Sequence, residues 1–263
     1  MKINSHRVMA VIVRHMFSWK RSLERIWDMF WWPTFNLFTW GLVTVYLQFA
    51  GTGSMFADIF LGGILMWMFV NQSQEEMGLV FLQEVWDRNL LNLMSSPLSI
   101  LEFTIASIMI GIMKITVSVL WLLFLAYWLF HFTIIQYGIM LVPYAISLLL
   151  SGWALGFVIN GLILRYGFRV QVFAWSLSLL VQPFSAVFFP LSILPPWMQV
   201  VARVIPTSYI FEGMRKVMQQ GMIDYQGLWT AFFLNGIYLA LGIWFFARSY
   251  YQSRSSGMLV KFG

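Results

Sequence analysis

Cysteine is missing from the 263 residues, so a disulfide framework and thiolate chemistry are both excluded. Charge is scarce. Asp, Glu, Lys and Arg make up 10% of the chain, where an ordinary soluble domain carries roughly 25%, and no stretch is polar enough to fold as a separate soluble domain. His6, His15 and His131 are the only histidines, and they are too scattered to build a metal site. No GxxxxGK[ST] loop occurs, so the chain has no Walker-type phosphate cradle. HExxH and GxSxG are also absent, and the acids do not cluster at spacings suited to two-metal or acid/base chemistry. Apolar residues dominate instead. The chain is 60% hydrophobic with a mean hydropathy of +0.77, the composition of an integral membrane protein. Its net charge of +6 is read as a positive-inside bias rather than a nucleic-acid footprint.

Residues 1–26 are amphipathic. On a helix, Arg7, Arg14, Ser18, Arg21 and Arg25 share one narrow face, with Met9, Ile12, Met16, Trp19 and Leu23 opposite. The pattern predicts an interfacial helix, apolar side in the lipid boundary and arginines toward anionic headgroups. Six apolar stretches follow at 27–49, 57–79, 101–130, 138–164, 171–190 and 227–248, each near the roughly 20 residues needed to cross a bilayer. With six crossings, most Lys and Arg fall on one side, which predicts that both termini are cytoplasmic. The expected fold is an all-α polytopic membrane protein forming a single transmembrane domain over 1–263. Its numerous Trp residues are read mainly as interfacial belts.

Three stretches stand out. From Pro183 to Val217, Pro190, Pro195, Pro196 and Pro206 interrupt what would otherwise be one apolar helix. Short helices are expected from about Trp197 and from about Ser208, making 190–217 a set of broken, re-entrant helices on the outer side. Broken backbone at membrane depth needs protein or a water-lined cavity to satisfy it; the plainer reading is an outer loop with interfacial helices. The connection at 83–97 mixes polar residues with apolar teeth and ends at Pro97. It reads either as a short helix docking into a partner's groove or as a helix lying flat on the membrane. Glu75 and Glu76 near the end of the second span, and Lys114 in the third, are ionisable groups at or near membrane depth. Pairing of Lys114 with one of these acids is expected, with snorkelling to the interface as the alternative.

The whole chain resembles the type-2 ABC exporter permease family. The most specific likeness is Phe189-Pro190-Leu191-Ser192, Leu194-Pro195-Pro196-Trp197, Pro206-Thr207-Ser208-Tyr209 and Glu212-Gly213-Met214-Arg215, placed between the fifth and sixth spans. The resemblance implies two membrane subunits, here a homodimer, around a central path, with two ATPase subunits beneath them. ATP and Mg would sit on the ATPase, and this chain would bind no cofactor. The 83–97 segment would be the coupling helix, with Asp87, Arg88, Asn89, Leu90, Asn92 and Met94 as contact residues. The loop from Asn160 to Arg169 would make a smaller second contact. Phe189, Pro190, Leu194, Pro195, Trp197, Pro206, Tyr209, Glu212 and Arg215 would form the outer gate. The implied location is the bacterial plasma membrane, among membrane lipids. The implied cargo is a lipid-linked glycan or a hydrophobic drug or small molecule. A stand-alone secondary transporter would need an internal repeat, and none is visible. An intramembrane lipid- or glycan-modifying enzyme would need a recognisable acidic or histidine motif at one face.

Overall fold

The computed structural model describes residues 3–255, except 22, 52–53, 87–88, 90–91, 93–95 and 133. Asp87, Arg88, Leu90 and Met94, expected to contact a partner, therefore lie outside the described residues. The described helices are α1 (Ser5–Arg21), α2 (Leu23–Phe49), α3 (Ser54–Trp86), α4 (Ile100–Phe130), α5 (Val142–Tyr166), α6 (Phe173–Val181), α7 (Pro196–Ala202), α8 (Pro206–Gln220) and α9 (Tyr225–Ser255). Short 3-10 turns join several of them, and no strand occurs among the described residues.

Four helices are long and apolar enough to cross a membrane by length and composition: Met55–Glu84, Ile100–Phe130, Tyr137–Tyr166 and Tyr225–Ser253. The stretch expected as the first crossing, 27–49, falls inside the 27-residue α2, long enough but diluted by Thr34, Asn36 and Gln48. The stretch expected at 171–190 is shorter than predicted. Its apolar helical part is Phe173–Phe184, less than the roughly 20 residues a crossing takes. The helix gives way at Gln182-Pro183 to a 3-10 turn, and Ala186 then adopts a left-handed φ of 55°. The 83–97 segment also differs from expectation. No proline or glycine stops α3 between Gly78 and Trp86, so α3 runs to Trp86 and takes in the first residues of that segment.

Side-chain contacts set the helix directions. A Cβ built on Gly152 would fall 1.8 Å from Ser73 Oγ and 2.6 Å from the Val70 carbonyl, and one on Gly156 would fall 2.5 Å from Met77 Cβ. Numbers rise together along this seam, so α3 and α5 run parallel, their backbones brought close by small residues. α9 also runs parallel to α5. Asn235 donates to the Ser147 carbonyl (2.8 Å) and Ser151 Oγ donates to Asn235 Oδ1 (2.8 Å), while Arg165 Nε donates to Ser249 Oγ (2.9 Å) further along. α4 runs the opposite way, Lys114 facing Glu76 while Phe132, just past its end, reaches Gly62. α1 and α2 lie end to end along α4. Val8, Val11 and Ile12 bury against Phe103, Ala106 and Ile110, whereas Ser118 Oγ donates to the Met29 carbonyl (3.1 Å) and Trp121 Nε1 to Thr34 Oγ1 (2.9 Å). One end of the bundle, the near end, thus gathers α1, the Trp86–Ile100 connection and the Tyr166–Phe173 turn. The far end gathers α7, α8 and the start of α9.

Candidate functional site: a clamped connection and a proline-broken hairpin

The near-end site begins with Glu84 and Glu102, which stand at the two roots of the connection between α3 and α4. Glu102 belongs to a capping box. Its backbone N–H donates to Ser99 Oγ (3.1 Å), and Ser99 N–H donates back to Glu102 Oε2 (2.8 Å). The same carboxylate accepts from Asn4 N–H at 2.9 Å and faces Arg7 at 3.7 Å. Arg7 also donates to the Pro97 carbonyl at 2.5 Å. Two turns along α1, Arg14 ion-pairs with Glu84. Glu84 accepts from Asn89 Nδ2 (2.7 Å), and Asn92 Nδ2 donates to Asn89 Oδ1 (3.1 Å). α1 therefore binds both roots of the connection. Between them lies a cavity of about 290 Å³ lined by Arg7, Arg14, Asn89, Asn92, Ser96 and Pro97 among others.

This arrangement modifies the expected arginine face. Arg7 and Arg14 are committed to protein carboxylates instead of headgroups. The buried side of α1 is Val8, Val11, Ile12 and His15, and the exposed apolar side is Met9, Val13, Met16 and Phe17. One apolar side packs on α4 and the other is left for lipid.

Lys114 Nζ lies 2.5 Å from Glu76 Oε2, both side chains largely buried, and 4.5 Å from the centre of the Trp19 ring. Glu75, one residue from Glu76, is half-buried. The charge of Lys114 is thus neutralised by a neighbouring helix and covered by α1.

The far-end site is a proline-broken helical hairpin made by α7 and α8. Pro196 and Pro206 each occupy the first turn of a helix, where proline's missing N–H costs nothing. α8 starts deep, with Thr207 Oγ1 donating to Ser185 Oγ (2.7 Å) and Phe211 against Trp67, ring centres 5.9 Å apart. It rises until Met218 meets Gly62. Ser208 Oγ donates to the Ala202 carbonyl (2.6 Å) and closes the turn between α7 and α8.

The broken backbone is satisfied by Arg215. Its Nη2 donates to the carbonyls of Ala186 (2.5 Å) and Phe189 (3.1 Å) and to Glu212 Oε1 (3.2 Å). Glu212 Oε1 in turn accepts from Leu191 N–H at 2.7 Å. Pro190 precedes the 3-10 turn Leu191–Ile193, and Leu194 is buried with its carbonyl accepting from Gln199 Nε2 (2.8 Å). Pro195 caps α7, while Trp197 is 63% exposed and meets Phe184 edge-on. Tyr209 OH donates to the Arg203 carbonyl at 2.8 Å. Gly213 is required by a close approach: a Cβ there would stand 2.5 Å from Tyr144 Cε1. The buried Tyr144 hydroxyl accepts from Asp224 N–H (3.0 Å), and Lys216 Nζ donates to Asp224 Oδ2 (2.5 Å). That Lys216 ammonium holds the Asp224 carboxyl below the ordinary carboxylate range.

Glu84, Glu102, Arg7 and Arg14 did not emerge as site residues from sequence reasoning. Their signals were present: arginines seven apart on one face, and the Ser99-x-x-Glu102 capping pattern. The buried amides were missed as well. Gln74 bridges α6, donating to the Ala174 carbonyl (2.6 Å) and accepting from Ser178 N–H (3.1 Å). Asn160, expected at the edge of a second partner contact, donates to the Met77 carbonyl inside the bundle (2.9 Å).

Four helices long and apolar enough to cross a bilayer, packed with a proline-broken hairpin and a polar connection clamped at its roots, fit an all-α membrane protein. Residues 8–219 match the family described as ABC-2 type transporter, and the chain belongs to that family. It is the membrane-embedded permease component of an ABC transporter, a class whose members normally work with an ATPase subunit. A search of curated proteins returned no match to this chain.

Proposed function

We propose that this chain is the permease of an ATP-driven exporter, working as a homodimer above two separate ATPase subunits. In this reading both termini and the Trp86–Ile100 connection face the cytoplasm of a bacterial cell, and the hairpin lies at the outer mouth. The observation that carries this reading is the clamp of α1 on both roots of the connection. A segment meant to receive force from a soluble partner needs stiff roots, and Arg7 and Arg14 supply them. ATP and Mg bind to the ATPase. ATP binding draws the ATPase subunits together, moves the connections and opens the path outward, a shift between two states that the partner binds with different affinity. The exposed apolar faces of α6 and α7 and of the turn between them, with Trp175, Leu179, Ile193, Trp197 and Val200, suit a second copy and an amphipathic cargo, either a lipid-linked glycan or a hydrophobic drug. Neutralisation of Lys114 by Glu76 argues against an ion-driven transporter that uses this lysine.

The test is ATP turnover of the chain coexpressed with its candidate ATPase and purified in nanodiscs, beside an Arg88→Ala, Leu90→Ala double variant. The expected result is a stable complex whose turnover or assembly collapses in the variant. Failure of the wild-type chain to hold any ATPase would overturn the reading.

A further inference from the structure

The near end of the bundle has two electrostatically different sectors. Around α1, α3 and α4, cations meet carboxylates: Arg7 with Glu102 and Arg14 with Glu84, and, deeper in the bundle, Lys114 with Glu76. The α5–α6 stretch and α9 themselves carry no carboxylate. The sequence holds no Asp or Glu from Val142 to Val181, nor from Tyr225 to Gly263. Arg165, Arg169 and Arg248 stand in this sector.

Two of these arginines are held ready. Arg165 lies over the Phe245 ring (4.9 Å) with Nε donating to Ser249 Oγ (2.9 Å). Its two terminal nitrogens make no hydrogen bond among the described residues. Arg248, the chain neighbour of Ser249, lies over the Trp244 ring (5.8 Å). Cation–π contact and the Ser249 bond fix the guanidinium planes without neutralising them. The fork they leave open suits a phosphate.

The surface leading to Arg248 indicates where that phosphate comes from. Ile237, Leu241 and Trp244 are exposed at 42%, 54% and 59%, and with Arg248 they form one helical stripe at spacings of four, three and four. From Ile237 to Arg248 the stripe rises about 16 Å at 1.5 Å per residue. That matches one leaflet of hydrocarbon, about 15 Å. We propose that the exposed face of α9 that ends at Arg248, beside Arg165 of α5, is a binding site for an anionic phospholipid, its phosphate between Arg165 and Arg248 and an acyl chain along Ile237, Leu241 and Trp244. The site needs only the near end of the bundle and does not depend on the direction of transport.

The experiment is native mass spectrometry of the full chain, delipidated and titrated with phosphatidylglycerol or phosphatidylcholine. Variants are Arg165→Gln with Arg248→Gln, Trp244→Ala, and Arg203→Gln as a cation lost from the far end. The wild type is expected to retain phosphatidylglycerol over phosphatidylcholine. The double variant is expected to lose that preference by about tenfold or more, Trp244→Ala to weaken retention in part, and Arg203→Gln to leave it unchanged. Equal retention by wild type and double variant overturns the site, as does an equal loss in Arg203→Gln. Glycerol phosphate competing as well as the intact lipid would make it a soluble-anion site and overturn the lipid assignment. Loss of ATPase copurification with lipid retention intact would reassign the arginines to a protein contact. Should the double variant not fold, Trp244→Ala and single Arg248→Gln decide the matter by the same readout.

Discussion

The Arg215 guanidinium in α8 donates at 2.5 Å to the carbonyl of Ala186, a buried alanine held at a φ of 55°. A left-handed alanine costs on the order of 1 kcal/mol or more and persists only where its surroundings fix it. Arg215 supplies that constraint, spanning the gap between the end of the α6 segment and the returning hairpin.

Arg215→Ala leaves the Ala186 and Phe189 carbonyls without their donor and Glu212 without its cation. The expected loss is roughly 3 kcal/mol, as for breaking a buried pair. Arg215→Lys rescues only part, because one ammonium cannot reproduce the fork. Thermal unfolding followed by size exclusion in detergent measures both, and a melting temperature unchanged in Arg215→Ala would contradict the account.

Gly152→Leu puts a side chain where Ser73 Oγ and the Val70 carbonyl already stand. Ser73→Ala removes the hydroxyl but not the backbone oxygen, so the pair is expected to remain impaired. The cost of such overpacking is roughly 1–3 kcal/mol or more. Expression yield and melting temperature of the single and double variants test it.

For Lys114 and Glu76 the order of the variants is the prediction. Lys114→Met strands a largely buried carboxylate and is expected to destabilise by roughly 3 kcal/mol, whereas Lys114→Met with Glu76→Met is expected to be close to neutral. A double variant worse than the single one would show that the pair is not the relevant interaction.

Reversing the clamp separates stiffness from contact. Arg14→Glu is expected to lower ATP turnover of the assembled transporter several-fold, and Arg14→Glu with Glu84→Arg to restore part of it. A thermodynamic cycle over the four proteins reports the coupling, and equal losses in both variants would place the defect elsewhere.

Acid should loosen the far end through Asp224. Its folded-state pKa is depressed by Lys216, so its contribution is present above the ordinary value of about 3.9 and is lost as pH falls through the lower, folded value. Stability is expected to be flat from about pH 8 to pH 5 on this account and to fall below. The pair is partly exposed, so the effect is small. Asp224→Asn should remove that part of the acid sensitivity, read as melting temperature against pH.

Local chemistry made some of this fold legible in the sequence. The expected helix starts near Trp197 and Ser208 lie beside the observed starts at Pro196 and Pro206, because proline marks the first turn of a helix. The end of the α6 segment was harder to read: no residue type announces that Ala186 turns left-handed. α1 was misread in part because it is apolar on two sides, and only packing decides that Val11 faces α4 while Met9 does not. Arg7 and Arg14 resembled headgroup ligands because their carboxylates lie more than 60 positions away in sequence. The lack of Asp and Glu in α5 and α9, in contrast, could be counted directly.

Helix α3 is 33 residues long, about 50 Å at 1.5 Å per residue, against a hydrocarbon core of about 30 Å. Ser73, where Gly152 presses closest, lies about 29 Å from the α3 start. Beyond that fulcrum α3 continues as an unbroken lever arm of about 20 Å to Trp86. Tilting such an arm by about 3° carries its tip about 1 Å, so a small displacement at the Trp86–Ile100 connection is geared down into a smaller one, of opposite sense, at the level of the hairpin.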